Sequence, residues 1–441
     1  MQRTGDASWK LRPALFFTLA VLFEVWFFRA AGALAHGNSF SIVVVLATGG
    51  PLAVLALLLF PEPALFAAPL FILVPVQALY LHAFQWVFLA ALLAYGVRYL
   101  AEHPFDAHLR GIDLIFLLYL GWGLFSVSQA ENLRVALFGI ETPILFFLAF
   151  WVGSRIMGPA RLSTLTRIYA WVVIGIGLEM LGVAMANHIP LRLIATEMGK
   201  FTDLGWGRSN YVAAVAALAT AAVLPSAFQK GNPHRKLALA ALVSAVFVTV
   251  ASASRGGIVA LLFSVILGLT LGRLNVVVTF LLLGGGVFLL FVSPFGQEHF
   301  LGPKGLPSIG ARLLFFREAI RIALSHPWAG VGPDQIPFHT YFYMDANPHN
   351  IFLKQAADLG LVGLGLYLLL LGTVGRHLVR LYHAGHTDPD ARFQFSILFL
   401  VFFTALVNAS YEPTLEAPQY GFLYWLIVGT LIPARRGDEA T

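Results

Sequence analysis

Apolar runs of about twenty residues, separated by short polar connections, recur along nearly the whole chain. They lie near 13–35, 40–60, 64–81, 83–100, 111–128, 133–152, 164–187, 208–228, 236–253, 256–272, 275–293, 351–375, 393–410 and 419–433. Such runs suit helices that cross a bilayer, whereas an outer-membrane barrel would show short segments of alternating character. The pattern predicts an all-α polytopic integral membrane protein. Pro61, Pro63, Pro69 and Pro75 crowd the third run, and Glu141 and Pro143 interrupt the sixth. Proline is tolerated in membrane helices but blurs their boundaries, so about 12 (12–14) transmembrane helices are expected.

Composition agrees with that pattern. The chain is 59% hydrophobic and 11% charged, with a mean hydropathy of +0.79. Soluble domains carry roughly a quarter charged residues. A sequence pI near 9.5 would suggest nucleic acid in a soluble protein, but here orientation explains most of the basic residues. Arg3, Lys10, Arg12, Arg98, Arg110, Arg155, Arg161, Arg167, Lys230, Arg235, Lys236, Arg273, Arg376, Arg380, Arg392, Arg435 and Arg436 fall in one set of alternate connections. These are expected to be cytoplasmic, with both termini inside. Ala33-Leu-Ala35 resembles a signal cleavage site, yet Glu24 and Arg29 interrupt the preceding run, so an uncleaved first span is expected. With no cysteine, disulfides, thiolate–metal sites and thiol catalysis are excluded.

The chain reads as one membrane domain, 1–441, whose outer side carries a long loop at 294–350. Loops of that length without function are uncommon. Residues 310–325 read as a short loop helix, with Ser308 as its cap. Arg317 and Arg321 project within about 40° of each other on that helix, toward water or headgroups, while Arg312 points to the opposite side, toward the protein. The turn-rich segment His326–Asp334 ends it.

Several outer-side residues suggest chemistry. Arg208 and Arg255 each open an apolar run without an obvious nearby carboxylate, and an interfacial arginine calls for an anion such as phosphate or pyrophosphate. Gly256 and Gly257 allow a tight turn and leave backbone open to a bulky ligand. Asn347-Pro348 reads as an N-cap followed by a first-turn proline, which puts His349 and Asn350 in that turn. Histidine is the side chain best suited to take a proton near neutral pH, and free helix N–H groups there can hold an anion. Gly360, Gly363 and Gly365 are spaced to seat the following helix by close packing. Tyr341, Phe342 and Tyr343 suit an interfacial aromatic cluster.

Absences narrow the classes. No His-Glu-x-x-His, close Asp/Asn triplet or Gly-rich nucleotide loop occurs, so no metal and no cofactor is expected. The outer carboxylates, Glu412 and Glu416 among them, are dispersed, and Pro413 makes a shared helical face for that pair doubtful. Intramembrane acids are limited to Glu24, Glu141 and Glu179, and no symmetrical halves are visible, which weighs against a transporter.

In order along the chain come Ser254-Arg255-Gly256, Arg312 in a loop helix, Pro327…Gly330-Val-Gly332, and His349-Asn350 followed by Gly360 and Gly363. This resembles the O-antigen ligase and polymerase superfamily and is similar to the lipopolysaccharide O-antigen ligases. The resemblance covers about 205–375. It implies a GT-C-like, metal-independent, inverting glycosyltransferase of the bacterial inner membrane with a periplasmic active site. Its donor would be O-antigen on undecaprenyl pyrophosphate and its acceptor a sugar hydroxyl of lipid A–core. His349 would be the base, Arg208, Arg255 and Arg312 the pyrophosphate ligands, with Asn350, Gly360 and Gly363 in support. The alternatives are an O-antigen polymerase, a protein O-oligosaccharyltransferase and a non-enzymatic transporter of lipid-linked sugars.

Overall fold

The computed structural model describes residues 61–73, 83–102, 109–189, 204, 209–229, 231–271, 305–340 and 348–432. Two compact units divide the chain, Met1–His108 and Leu109–Thr441. Every regular element among the described residues is helical. The apolar runs near 13–35, 40–60 and 275–293 lie outside those residues.

In the first unit, α1 spans Pro61–Ala67 and continues as a 3-10 turn, Ala68–Leu73, and α2 spans Ala83–Glu102. The described part of the third apolar run is therefore a short α-helix that tightens to 3-10, and the run from 74 onward lies outside the described residues. Pro69 lacks the N–H needed to carry an α-helix through it.

The second unit contains ten α-helices among its described residues: α3 (Gly111–Ser126), α4 (Leu133–Val152), α5 (Leu162–Ala186), α6 (Ser209–Phe228), α7 (Arg235–Ala251), α8 (Arg255–Thr270), α9 (Gly305–Ser325), α10 (Ile351–Ala384), α11 (Pro389–Ala409) and α12 (Pro418–Leu431). Six of these, α3, α4, α5, α6, α10 and α11, are long and apolar enough to cross a membrane. The protein is thus multi-pass. Pro143 does not break its run, because α4 passes through it unbroken. Neighbouring helices can re-satisfy the backbone that a proline disturbs.

Small and apolar residues on every side make α6 a central helix rather than an amphipathic one. It packs against α5, α7, α8 and α11. The short α12 is buried along nearly its whole length and lies against α4. On the other flank α3 and α9 pack on α10. The inward face of α9 repeats at helical spacing: Arg312, Phe315, Ala319 and Ile322, the last three joining Val331, Ile336, Leu353 and Ala357 in one apolar cluster. Its start at Gly305 leaves Ser308 inside the helix, so Ser308 is not the cap.

A kink in α10 organises this flank. Gly360 sits at φ 71°, ψ −176°, a conformation open essentially only to glycine. The turn after α9 docks there: Val331 and Gly332 donate N–H to the carbonyls of Ala357 and Asp358, and Leu361 donates to Pro327 O, at 3.0, 2.9 and 2.7 Å. Trp122 Nε1 donates to Leu359 O at 2.9 Å, so carbonyls released by the kink find partners. A Cβ on Gly360 would stand 2.1 Å from Trp328 O. The glycine therefore seats a loop, not a neighbouring helix as its spacing suggested. Gly363 faces its own Leu359 across the kink, and Gly365 is open to space.

Candidate functional site

Three helix starts and one short strap converge beside His349. The strap, residues 410–417, joins α11 to α12 and includes a 3-10 turn at Thr414–Glu416. Glu412, in its middle, is buried. His349 Nδ1–H donates to Glu412 Oε2 at 2.8 Å. Arg312 Nη2, from α9, donates to Glu412 Oε1 at 2.8 Å, and Asn210 Nδ2, from the first turn of α6, reaches the same oxygen at 3.0 Å. Both carboxylate oxygens are thus engaged.

Local sequence explains how each group arrives. Asn350, not Asn347, is the N-cap of α10: its side chain accepts from Leu353 N at 3.0 Å. Asn347 itself lies outside the described residues. Pro348 and His349 therefore precede the helix instead of forming its first turn. His349 adopts φ 51°, left-handed backbone that a non-glycine residue rarely takes. Such strain concentrates at functional sites. Asn350 also donates through Nδ2 to Ser410 O at 2.9 Å, fastening the helix start to the strap. Phe315, one turn beyond Arg312, has its ring centroid 6.0 Å from that of His349.

Ser254 caps α8, its side chain accepting from Gly257 N at 3.2 Å. Arg255 follows as the first helical residue, half-buried and within electrostatic range of Arg312. The space beside Gly256 is not left for a ligand: the Tyr411 ring fills it, and Tyr411 Oη donates to Gly256 O. Arg208 lies outside the described residues, as do Tyr341, Phe342 and Tyr343.

The structure thus brings His349, Arg312 and Arg255 to one place, with Asn350 fixing the segment. Arg312 faces the protein as its helical position required, while Arg317 and Arg321 are exposed. Arg321 pairs with Glu318 at 2.9 Å and donates to His339 O at 2.7 Å. Glu412 and Asn210 are the members that sequence reasoning missed. The one available signal was that Tyr411-Glu412-Pro413 forms a short acidic turn on the same expected side as the histidine. No cluster of three or more His, Cys, Asp or Glu groups suited to a metal occurs among the described residues.

Chemically, the Arg312 guanidinium meets the Glu412 carboxylate, and a second guanidinium, Arg255, lies within electrostatic range of Arg312. The two guanidinium groups suit an anion with several acceptor oxygens. The Glu412 carboxylate fixes the imidazole tautomer with hydrogen on Nδ1, which assigns proton acceptance to Nε2.

Residues 240–368 match the protein family described as O-antigen ligase. The matched segment contains Arg255, Arg312 and His349, and over that segment the chain is similar to this family. No curated protein matches the chain.

Proposed function

We propose that this protein is a glycosyltransferase that ligates O-antigen from undecaprenyl pyrophosphate onto a sugar hydroxyl of lipid A–core. The single observation that carries this reading is the His349–Glu412–Arg312 constellation, whose arginine and histidine lie inside the family-matched segment. Arg255 and Arg312, with Arg208, hold the pyrophosphate. The acceptor hydroxyl attacks the anomeric carbon as its proton passes to His349 Nε2. The bond from that carbon to the pyrophosphate oxygen breaks on the opposite face, giving inversion. Lipid pyrophosphate leaves, and fixed arginines stabilise the charge that builds on it. Glu412 orients the ring and stabilises the imidazolium that forms. The reaction uses these side chains without a metal, in a GT-C-like membrane scaffold of about 12 spans with both termini cytoplasmic and the site open to the periplasm. The 205–375 region carries the arginines and the histidine of a domain that runs from 1 to 441, and Glu412 joins them from the strap beyond that region.

The test is a lipopolysaccharide gel from cells carrying His349→Ala, with carrier-linked polymer analysed in parallel. Loss of a general base lowers the rate by about 10²–10⁴. Core-only lipopolysaccharide with long polymer stranded on the carrier is the expected result. Core bearing a single repeat would mean a polymerase instead. An unchanged ladder would remove His349 from the mechanism and revive transport of an intact lipid-linked sugar.

A further inference from the structure

Below His349, α10 carries a second charged group that the reaction above does not use. Lys354 is buried and reaches three carboxylates: Asp358 Oδ2 at 2.6 Å, Asp334 Oδ1 at 2.7 Å and Glu416 Oε2 at 2.8 Å. These come from three parts of the chain. Asp358 is one turn along α10, Asp334 belongs to the turn docked on the kink, and Glu416 lies at the far end of the strap. Gln355 Nε2 also donates to Glu416, and Tyr119 Oη donates to Gln355 Oε1 at 2.9 Å.

The spacing links this group to the site. Lys354, in the first turn of α10, follows His349 by five residues, and Glu416 follows Glu412 by four. Lys354–Glu416 and His349–Glu412 are therefore two successive rungs between the start of α10 and the strap, each at 2.8 Å. Asn350 fixes the strap at Ser410, where α11 already holds the backbone. Beyond Glu412 the strap's ties to α10 run through Lys354 and Gln355. We infer that Lys354 and Glu416 are positioning residues, a clamp that sets the Glu412 carboxylate against His349 Nδ1. This inference rests on the proposed role of His349, but its first readout does not.

A buried ion pair is a poor source of net stability yet a stiff constraint, because removing either partner strands the other. Lys354→Met would strand three carboxylates, which is enough to unfold the flank by itself. Glu416→Gln is the informative variant. Burial raises the Glu416 carboxyl above its ordinary value while Lys354 pulls it down, and glutamine keeps its shape and one accepting oxygen without the charge. It keeps Lys354 paired to Asp334 and Asp358. Asp334→Asn is its control, since it removes a carboxylate from the same lysine without touching the strap.

The measurement is the imidazole ¹⁵N spectrum of histidine-labelled full-length protein in detergent, with the His349 signals assigned by their loss in His349→Gln. Thermal unfolding and turnover are followed on the same samples. In folded Glu416→Gln the His349 Nδ1 signal should move toward its position in Glu412→Gln, and kcat should fall about tenfold with little change in KM for the lipid-linked donor. Asp334→Asn should leave the His349 signal in place. An unmoved His349 signal in folded Glu416→Gln overturns the clamp, and so does an equal displacement in Asp334→Asn, which would mean general loosening. A wild-type protein that transfers no glycan sinks the functional reading alone, because the ¹⁵N signal still reports the clamp.

Discussion

Two ends of the second unit set arginine against a buried carboxylate, and they do so differently. At the end where α12 finishes, Asp113 is fully buried between Arg110 and Arg155. Its oxygens take the Arg110 backbone N–H, two Arg110 guanidinium nitrogens and Arg155. Arg110 uses its remaining reach on Ile432 O at 2.8 Å and Ser154 Oγ at 3.0 Å. At the end where α12 begins, Glu412 engages Arg312 through one nitrogen, and the Arg312 side chain keeps 30% of its exposure. Pairing of arginine with a buried carboxylate therefore gives a closed joint in one place and a partly exposed site in the other. What separates them is where the other guanidinium N–H groups go. One backbone carbonyl and a hydroxyl take them at Arg110, and solvent or an arriving ligand can take them at Arg312.

The sharpest way to break this contrast is to neutralise each carboxylate's network in turn. Asp113→Asn should remove the buried charge that two half-buried guanidinium groups share and cost about 3–5 kcal/mol of stability, read as a large drop in the thermal midpoint in detergent. Arg312→Ala should leave that midpoint nearly unchanged and lower glycosyl transfer about 10²–10³-fold, with no rescue from Arg312→Lys, which lacks the planar fork. If the two variants exchanged phenotypes, the distinction between joint and site would be wrong.

That contrast was only partly visible in the chain itself. Helical spans are local, since an apolar run and its capping residues lie next to each other, and ten of the fourteen runs correspond closely to described helices. Arg312 could be aimed inward because helical angle is also local. The pairing of His349 with Glu412 crosses 63 residues and that of Arg312 with Glu412 crosses 100, so nothing near either partner announces it. Gly360 was legible as a constraint and misread in kind. Periodicity suggests helix packing for a glycine repeat, and only the backbone shows a left-handed kink.

Gly360→Ala sharpens the comparison at an intermediate level. The added Cβ would meet Trp328 O and force a residue into a glycine-only region, a strain of about 1–3 kcal/mol. The disturbance should spread to the docked turn and α9, hence to Arg312, while the Arg110–Asp113 joint stays intact. Hydrogen exchange should show faster opening over 327–335 with protection retained over 111–120. Equal loosening of both segments would contradict a kink that serves one end only.

The smallest expected effect separates the ends by pH. His339 lies outside the spanning helices, its ring 5.8 Å from that of His326 and its Nδ1 3.6 Å from Glu131 Oε1. Burial lowers its pKa below the ordinary histidine value, Glu131 pulls the other way, and His326 and Arg321 lower it further. The unfolded chain therefore binds more protons than the folded one between the lowered value and the ordinary one. Stability contributed by neutral His339 is present at and above neutral pH and is lost as pH falls through that window. His339→Gln should flatten this acid-side decline in the thermal midpoint, slightly and without altering the decline caused by the carboxylates at lower pH. The same substitution should leave the Arg312→Ala defect unchanged, since His339 borders α9 on its Arg321 side and makes its contacts away from Glu412. A midpoint that falls as steeply in His339→Gln as in the wild type would assign the decline to another group.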